Sequence, residues 1–193
     1  DGVKLSKIMS QGLLDENIVR YRDQEGRTPL TLAAAQNDTV TAEYLLNIDA
    51  MKPNFSVVAE TKSDDDIDID TGDYVQNWSA LHWAAYNGNG YLASALLSHG
   101  AALHNRTRSG STPLMIACAE GRIATVHVLL GADESLDAVK HVKVAQKDYA
   151  AWRKRATRQM FMSPKLRDRN GMTALHHAAC AGSFECCVAL LQS

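Results

Sequence analysis

Cysteine is scarce in this chain: only Cys118, Cys180, Cys186 and Cys187 occur in 193 residues, with no CxxC pair among them. That excludes a disulfide framework and fits thiols kept reduced inside a cell. No apolar run approaches the roughly 18 residues that cross a bilayer, and no charged, apolar and small-residue succession marks a signal peptide. The chain opens on Asp1 rather than Met, which reads as a piece of a larger protein of the cytoplasm or nucleus, or as the cytosolic part of a membrane protein. Phosphate-cradling glycine loops, an HExxH helix and a nucleophile and base at a defined spacing are all missing. No enzyme reading therefore acquires a mechanism, and no cofactor is implied. The formal charge of -2 excludes a surface that is basic throughout, although a balanced total can conceal local asymmetry.

What the chain does contain is repetition. TPLTLAAAQND from Thr28, SALHWAAYNGN from Ser79, TPLMIACAEGR from Thr112 and TALHHAACAGS from Thr173 superimpose without gaps. Thr28, Ser79, Thr112 and Thr173 are good helix N-caps, and Pro29 and Pro113 follow where a missing N–H costs nothing. Nine residues after each cap stands Asn37, Gly88, Gly121 or Gly182, residue types that tolerate the left-handed conformation ending a helix. The first helix of each unit is thus predicted to be about two turns long. Leu pairs follow at Leu45 and Leu46, Leu96 and Leu97, Leu129 and Leu130, and Leu190 and Leu191, and predict a second apolar helix antiparallel to the first. Gly26, Asn77, Gly110 or Gly171 precedes each cap by two residues and suits a tight turn.

Between the second and third caps the spacing is 33 residues, the ankyrin period. The strings GRTPLTLAA, NWSALHWAA, GSTPLMIACA and GMTALHHAA resemble four ankyrin units, and Leu5 to Gly12 resembles a fifth, partial one in which Ile8 and Met9 take the Leu-pair positions. The resemblance implies an all-α ankyrin-repeat solenoid of antiparallel helix pairs, with short turn or β-hairpin fingers and two insertions. Ala33 and Ala34, Ala84 and Ala85, Ala117 and Cys118, and Ala178 and Ala179 thin the first helices so that neighbours approach closely. Leu30, Leu81, Leu114 and Leu175 are expected to fill the shared core.

Caps at Thr28 and Ser79 lie 51 apart and those at Thr112 and Thr173 lie 61 apart, insertions of 18 and 28 residues relative to 33. A single domain over residues 1–193 follows: a partial unit at 1–22, a repeat at 23–54, an acidic insertion at 55–76, repeats at 77–107 and 108–132, a basic helical insertion at 133–167, and a truncated C-terminal repeat at 168–193. Residues Glu60 to Asp73 hold seven acids and one lysine, and Lys140 to Arg169 hold ten basic residues and two acids. The acidic stretch reads as a mobile loop. Leu136, Val139, Val142, Ala145, Tyr149, Trp152, Ala156 and Met160 recur at helical spacing, predicting an amphipathic helix ending near Ser163 and Pro164.

Several residues invite sharper readings. His82 and His176 sit three residues inside their caps; in ankyrin repeats this histidine is a structural hydrogen-bonding residue, and the resemblance assigns it so here. His176, His177, Cys180, Cys186 and Cys187 could in principle hold zinc, but Cys186 and Cys187 are adjacent on a helix and point about 100 degrees apart, so packed thiols are expected and no metal. Asp66, Asp68 and Asp70 alternate like a calcium loop, yet Thr71 and Asn77 stand where Gly and Glu are needed. Trp83 and His177 share a position with Leu32 and Ile116, and core packing is expected for both.

By the resemblance, partners meet the turn tips and the exposed side of the first helices. Those positions are Gln24, Glu25, Arg27 and Gln36 in the first unit and Gln76, Trp78, Tyr86 and Asn87 in the second. The third contributes Arg108, Ser109, Ser111 and Glu120, and the fourth Arg169, Asn170, Met172 and Cys180. Trp78 and Tyr86 stand out as aromatic anchors, unless Trp78 folds over the acidic insertion before it. The expected function is a protein–protein interaction scaffold for a protein or peptide partner. One alternative is a regulatory region of a larger enzyme or channel. Another is a binder of nucleic acid or anionic lipid through Lys143, Lys147, Arg153, Lys154, Arg155 and Arg158, a patch that would also suit an acidic partner, with Thr157 placed as a basophilic kinase site.

Overall fold

The computed structural model describes residues 21–47, 69–131 and 163–193. Eight α-helices lie among them, with no strand. They pair as α1 (Pro29–Ala35) with α2 (Thr39–Leu46), α3 (Ala80–Asn87) with α4 (Gly90–Ser98), α5 (Pro113–Ala119) with α6 (Ile123–Leu130), and α7 (Ala174–Cys180) with α8 (Phe184–Gln192); a short 3-10 turn covers Ser163–Lys165. The partial unit at Leu5 to Gly12 and the amphipathic helix of the basic insertion lie outside the described residues.

Helix starts follow the cap chemistry. Oγ1 of Thr28 accepts the Thr31 N–H at 3.2 Å, and Oγ1 of Thr112 accepts that of Met115 at 3.4 Å. Ser79 and Thr173 close capping boxes with His82 and His176. Among the described residues, Asn37, just past the end of α1, and Asn77, in the turn before the Ser79 cap, are the non-glycine residues with positive φ, at 57° and 58°. Both stand where glycine occupies the other units, and asparagine tolerates that conformation better than other side chains.

The pairs stack in two rows. Inner helices pack in the order α1, α3, α5, α7 and outer helices in the order α2, α4, α6, α8. Neither insertion interrupts this, because each leaves after an outer helix and returns before the next inner one; the entropy of closing such a loop grows only slowly with its length. Ala33, Ala34, Ala84, Ala85, Ala117, Cys118 and Ala178 are buried, so inner helices meet on their small residues. Leu30, Leu81 and Leu114 are at most 1% exposed, and truncating a leucine so enclosed costs about 2–5 kcal/mol.

The fourth unit departs from the pattern. Ala179 is exposed, Leu175 is half-buried and Leu191 is 73% exposed, because no described unit stacks on its far side. The end of the acidic insertion is anchored rather than loose. Ile69 is buried, Asp70 Oδ1 accepts the Ala102 N–H at 2.8 Å, and the Asp70 carbonyl accepts from Asn105 Nδ2 at 3.0 Å.

Candidate interaction surface

Ahead of each inner helix the chain makes a finger, and one polar residue builds it. Asp23 Oδ1 accepts the N–H groups of Glu25 and Arg27 at 3.0 and 2.9 Å, and Asp168 Oδ1 those of Asn170 and Met172 at 2.8 and 2.9 Å. Asp73 Oδ1 takes Val75, Gln76 and Asn77, whereas in the third finger Oγ1 of Thr107 takes the Ser111 N–H. Burial pushes the Asp23 and Asp168 carboxyls up, but hydrogen bonds from the backbone and from Arg27 or His177 outweigh it and hold both below the usual carboxylate range. Residues 73–76, expected within the acidic insertion, therefore belong to the second finger. That finger closes from Asp73 N–H to the Trp78 carbonyl, one residue longer than the Asp23 to Arg27, Thr107 to Ser111 and Asp168 to Met172 closures. Sequence reading missed these four residues, although comparing positions five or six before each cap would have shown three Asp and one Thr.

Successive fingers are joined edge to edge. The Tyr74 N–H donates to the Glu25 carbonyl at 2.8 Å, Arg108 to Gln76 at 2.8 Å, and Arg169 to Ser109 at 3.1 Å. Contact is closest at Gly26 (φ 76°), where an added Cβ would stand 2.4 Å from the Tyr74 ring. The guanidinium of Arg22 lies 5.6 Å from the centroid of that ring.

Beneath the fingers the inner helices carry one stripe, made by the residue before each cap and those four and seven after it, which is at least partly exposed except at Ile116. In the second unit that stripe is Trp78, Trp83 and Tyr86. Ring centroids lie 4.6 Å apart for Trp78 and Trp83, 5.7 Å for Trp78 and Tyr86, and 6.1 Å for Trp83 and Tyr86, spacings at which aromatic pairs attract. Tyr86 is 39% exposed, while Trp78 and Trp83 are half-buried against the core. Trp78 is thus partly structural, and it leans on its own helix. The buried Nε1–H of Trp83 has no hydrogen-bond partner.

Of the two residues expected to pack in the core, Trp83 is half-buried and does pack against it, whereas His177, also half-buried, is turned to the last finger instead. His177 Nε2 meets Asp168 Oδ2 at 3.0 Å, tying the last finger to its helix. Ile116, at the same position, is buried.

The remaining expected contact residues divide in two. Gln24, Glu25, Gln36, Gln76, Arg108, Ser109, Glu120, Arg169, Asn170 and Cys180 are exposed, and Ser111 and Met172 are half-buried. Arg27 is half-buried and committed to Asp23 and Glu25 at 2.7 and 2.8 Å. Asn87 is also committed: its Nδ2 donates to the Ala34 and Ala35 carbonyls at 2.9 and 3.3 Å, closing the end of α1. Lys143, Lys147, Arg153, Lys154, Arg155, Arg158 and Thr157 lie outside the described residues.

Ser79 Oγ stands 2.9 Å from His82 Nδ1, a contact that resembles a nucleophile and its base. Its surroundings exclude that work. Both residues are 0% exposed, Nδ1 accepts the Ser79 N–H at 3.1 Å, and Nε2 faces the Asn105 carbonyl at 3.2 Å. Burial pushes the imidazole down to about 4, although the Ser111 and Asn105 backbone and the Asp73 charge pull upward. His82 therefore fastens the second unit to the loop before the third. His176 closes the same box while exposed.

Cys118 and Cys186 are buried, Cys187 is intermediate and Cys180 exposed. Burial, with the nearby Cys186 and Cys187, pushes the Cys118 thiol up to about 12. Among the described residues no three His, Cys, Asp or Glu side chains gather as metal ligands, and no helix is long and apolar enough to cross a membrane.

Comparison with known proteins agrees with this architecture. A family model described as ankyrin repeats in three copies matches residues 50–140, and a single ankyrin-repeat model matches 25–55 and 170–193. Protein phosphatase 1 regulatory subunit 27 of Homo sapiens is 44% identical over 57 residues, 28% of this chain and 37% of that protein, and the Mus musculus protein matches to the same extent. Palmitoyltransferase AKR1 of Saccharomyces cerevisiae is 29% identical over 113 residues, 58% of this chain and 12% of the enzyme. The matching segments thus span little more than a third of these relatives at most. With helix pairs, fingers and family models in one register, the chain belongs to the ankyrin-repeat family.

Proposed function

We propose that this chain is a protein-recognition scaffold that receives its partner on the fingers and the stripe beneath them, with Trp78, Trp83 and Tyr86 as the apolar anchor. Ankyrin repeats are non-catalytic interaction modules, and nothing in the Ser79 and His82 geometry departs from that. The aromatic trio carries the assignment. A half-exposed cluster of large rings is what binding hot spots are made of.

The test is selection of peptides from a random displayed library on the whole chain. Tyr86→Ala is the cleaner probe, since Trp78 also packs against the core. It is expected to weaken the selected peptides by more than about 1 kcal/mol at unchanged thermal stability. Peptides bound equally by wild type and variant would remove the trio from the recognition surface.

A second reading, regulation within a larger assembly, draws on the relatives: one is named as a regulatory subunit, and in the other the matching segment is 12% of an enzyme.

A further inference from the structure

We infer that the partner is an acidic protein segment, held by an arginine ridge on the third and fourth fingers. This rests on the recognition reading above and names the chemistry of its ligand. Residues 106–111 and 163–172 contain Arg106, Arg108, Lys165, Arg167 and Arg169 against one acid, Asp168. All five cations are exposed. Asp168 does not balance them, because it is buried and already accepts from Asn170, Met172 and His177.

None of the four arginines forms an ion pair among the described residues, where the pairs are those of Arg27 and His177. Backbone carbonyls hold three of them instead. Arg106 Nη1 donates to Gly110 and Arg167 at 3.1 and 2.8 Å, Arg167 Nη1 to Gly171 at 2.9 Å, and Arg108 Nη2 to Tyr74 at 2.5 Å. A guanidinium has five N–H donors, so each keeps donors for a ligand while its orientation is fixed beforehand. Arg27 in the first finger is the contrast: two carboxylates already occupy it.

Fingers three and four are joined through the Arg169 N–H and the Ser109 carbonyl, with Gly110 against Arg169, so their cations form one continuous strip. Stacked like charges repel at a cost that an anionic partner removes, and Arg with carboxylate gives the strongest, often bidentate, pairing. The strip begins beside the aromatic trio, since Arg108 N–H bonds to Gln76 in the finger that ends at Trp78. An extended segment with an apolar side chain on the trio would carry its next residues along the arginines.

Two fluorescein-labelled peptides test this on the whole chain by anisotropy: a Phe–Leu pair followed by a run of glutamates, and its glutamine counterpart. The glutamate peptide is expected to bind about tenfold more tightly at about 50 mM salt, with the advantage shrinking as screening increases. Arg108→Gln with Arg169→Gln should bring the two peptides together, and Tyr86→Ala should weaken both. Equal binding of the two peptides by wild type, with sensitivity to Tyr86→Ala, would overturn the acidic partner and leave the recognition reading standing. A glutamate preference lost in the arginine variant but indifferent to Tyr86→Ala would keep the ridge and sink the aromatic anchor. Persistence of that preference in the arginine variant would overturn the ridge, as would tighter retention of oligodeoxythymidylate than of the glutamate peptide. Binding of neither peptide would overturn both readings.

Discussion

Acidification should loosen this fold through His82. Its Nδ1 accepts the Ser79 N–H and its Nε2 faces the Asn105 carbonyl, with Ser79 and His82 both at 0% exposure, so protonating Nδ1 would set a donor against a donor and bury a charge. The folded imidazole titrates at about 4 against an ordinary value of 6.5. A base whose pKa is depressed by folding contributes its full stability above the unfolded value and loses it as pH falls from 6.5 toward about 4, with no further loss below. At about 1.4 kcal/mol per pH unit, the window is worth roughly 3 kcal/mol, a large share of the 5–15 kcal/mol that holds a typical domain together. Urea unfolding followed by far-ultraviolet circular dichroism between neutral pH and about pH 4 measures it. The control is His82→Gln, which keeps a side chain able to close a capping box but cannot titrate. The wild type should lose roughly 3 kcal/mol more than the variant across the window. Equal losses, or a wild-type loss below about 1 kcal/mol, would refute the account of His82 as a neutral buried strut.

Two further predictions rest on close packing. Gly26→Ala combines a left-handed backbone with a Cβ 2.4 Å from the Tyr74 ring, so it should cost more than the about 1–2 kcal/mol of the backbone term alone; stability unchanged in urea titration would deny the finger contact. Native thiol labelling should modify Cys180 rapidly while Cys118 and Cys186 stay protected until unfolding, because Cys180 is exposed, the other two are buried, and the Cys118 thiol is pushed up to about 12; mass spectrometry showing equal rates would contradict the packing of α5 on α7 and of α7 on α8.

Local chemistry sufficed for the solenoid. Cap residues, prolines at the first helical position, left-handed Asn37 and Asn77, and the Leu pairs each act within a few residues of themselves, so their register is legible without coordinates. The stacking order followed, because a helix pair with a thin alanine face has nowhere else to bury it. Exposure was decided only in three dimensions. Trp83 and Ile116 share a register position, yet one is half-buried beside Trp78 and Tyr86 and the other is buried, a difference set by side-chain size and by neighbouring units. Asn87 and Arg108 read alike as surface polar residues. Folding commits Asn87 to the end of α1 and leaves Arg108 with donors to spare. Likewise Asp73 and Asp168 counted as loop charges until their fingers closed around them. Sequence determined which segments repeat and where each helix starts, since those depend on local dihedral preference and periodicity. Tertiary structure decided which polar groups are already satisfied, because a hydrogen bond or ion pair depends on what an adjacent unit brings within reach.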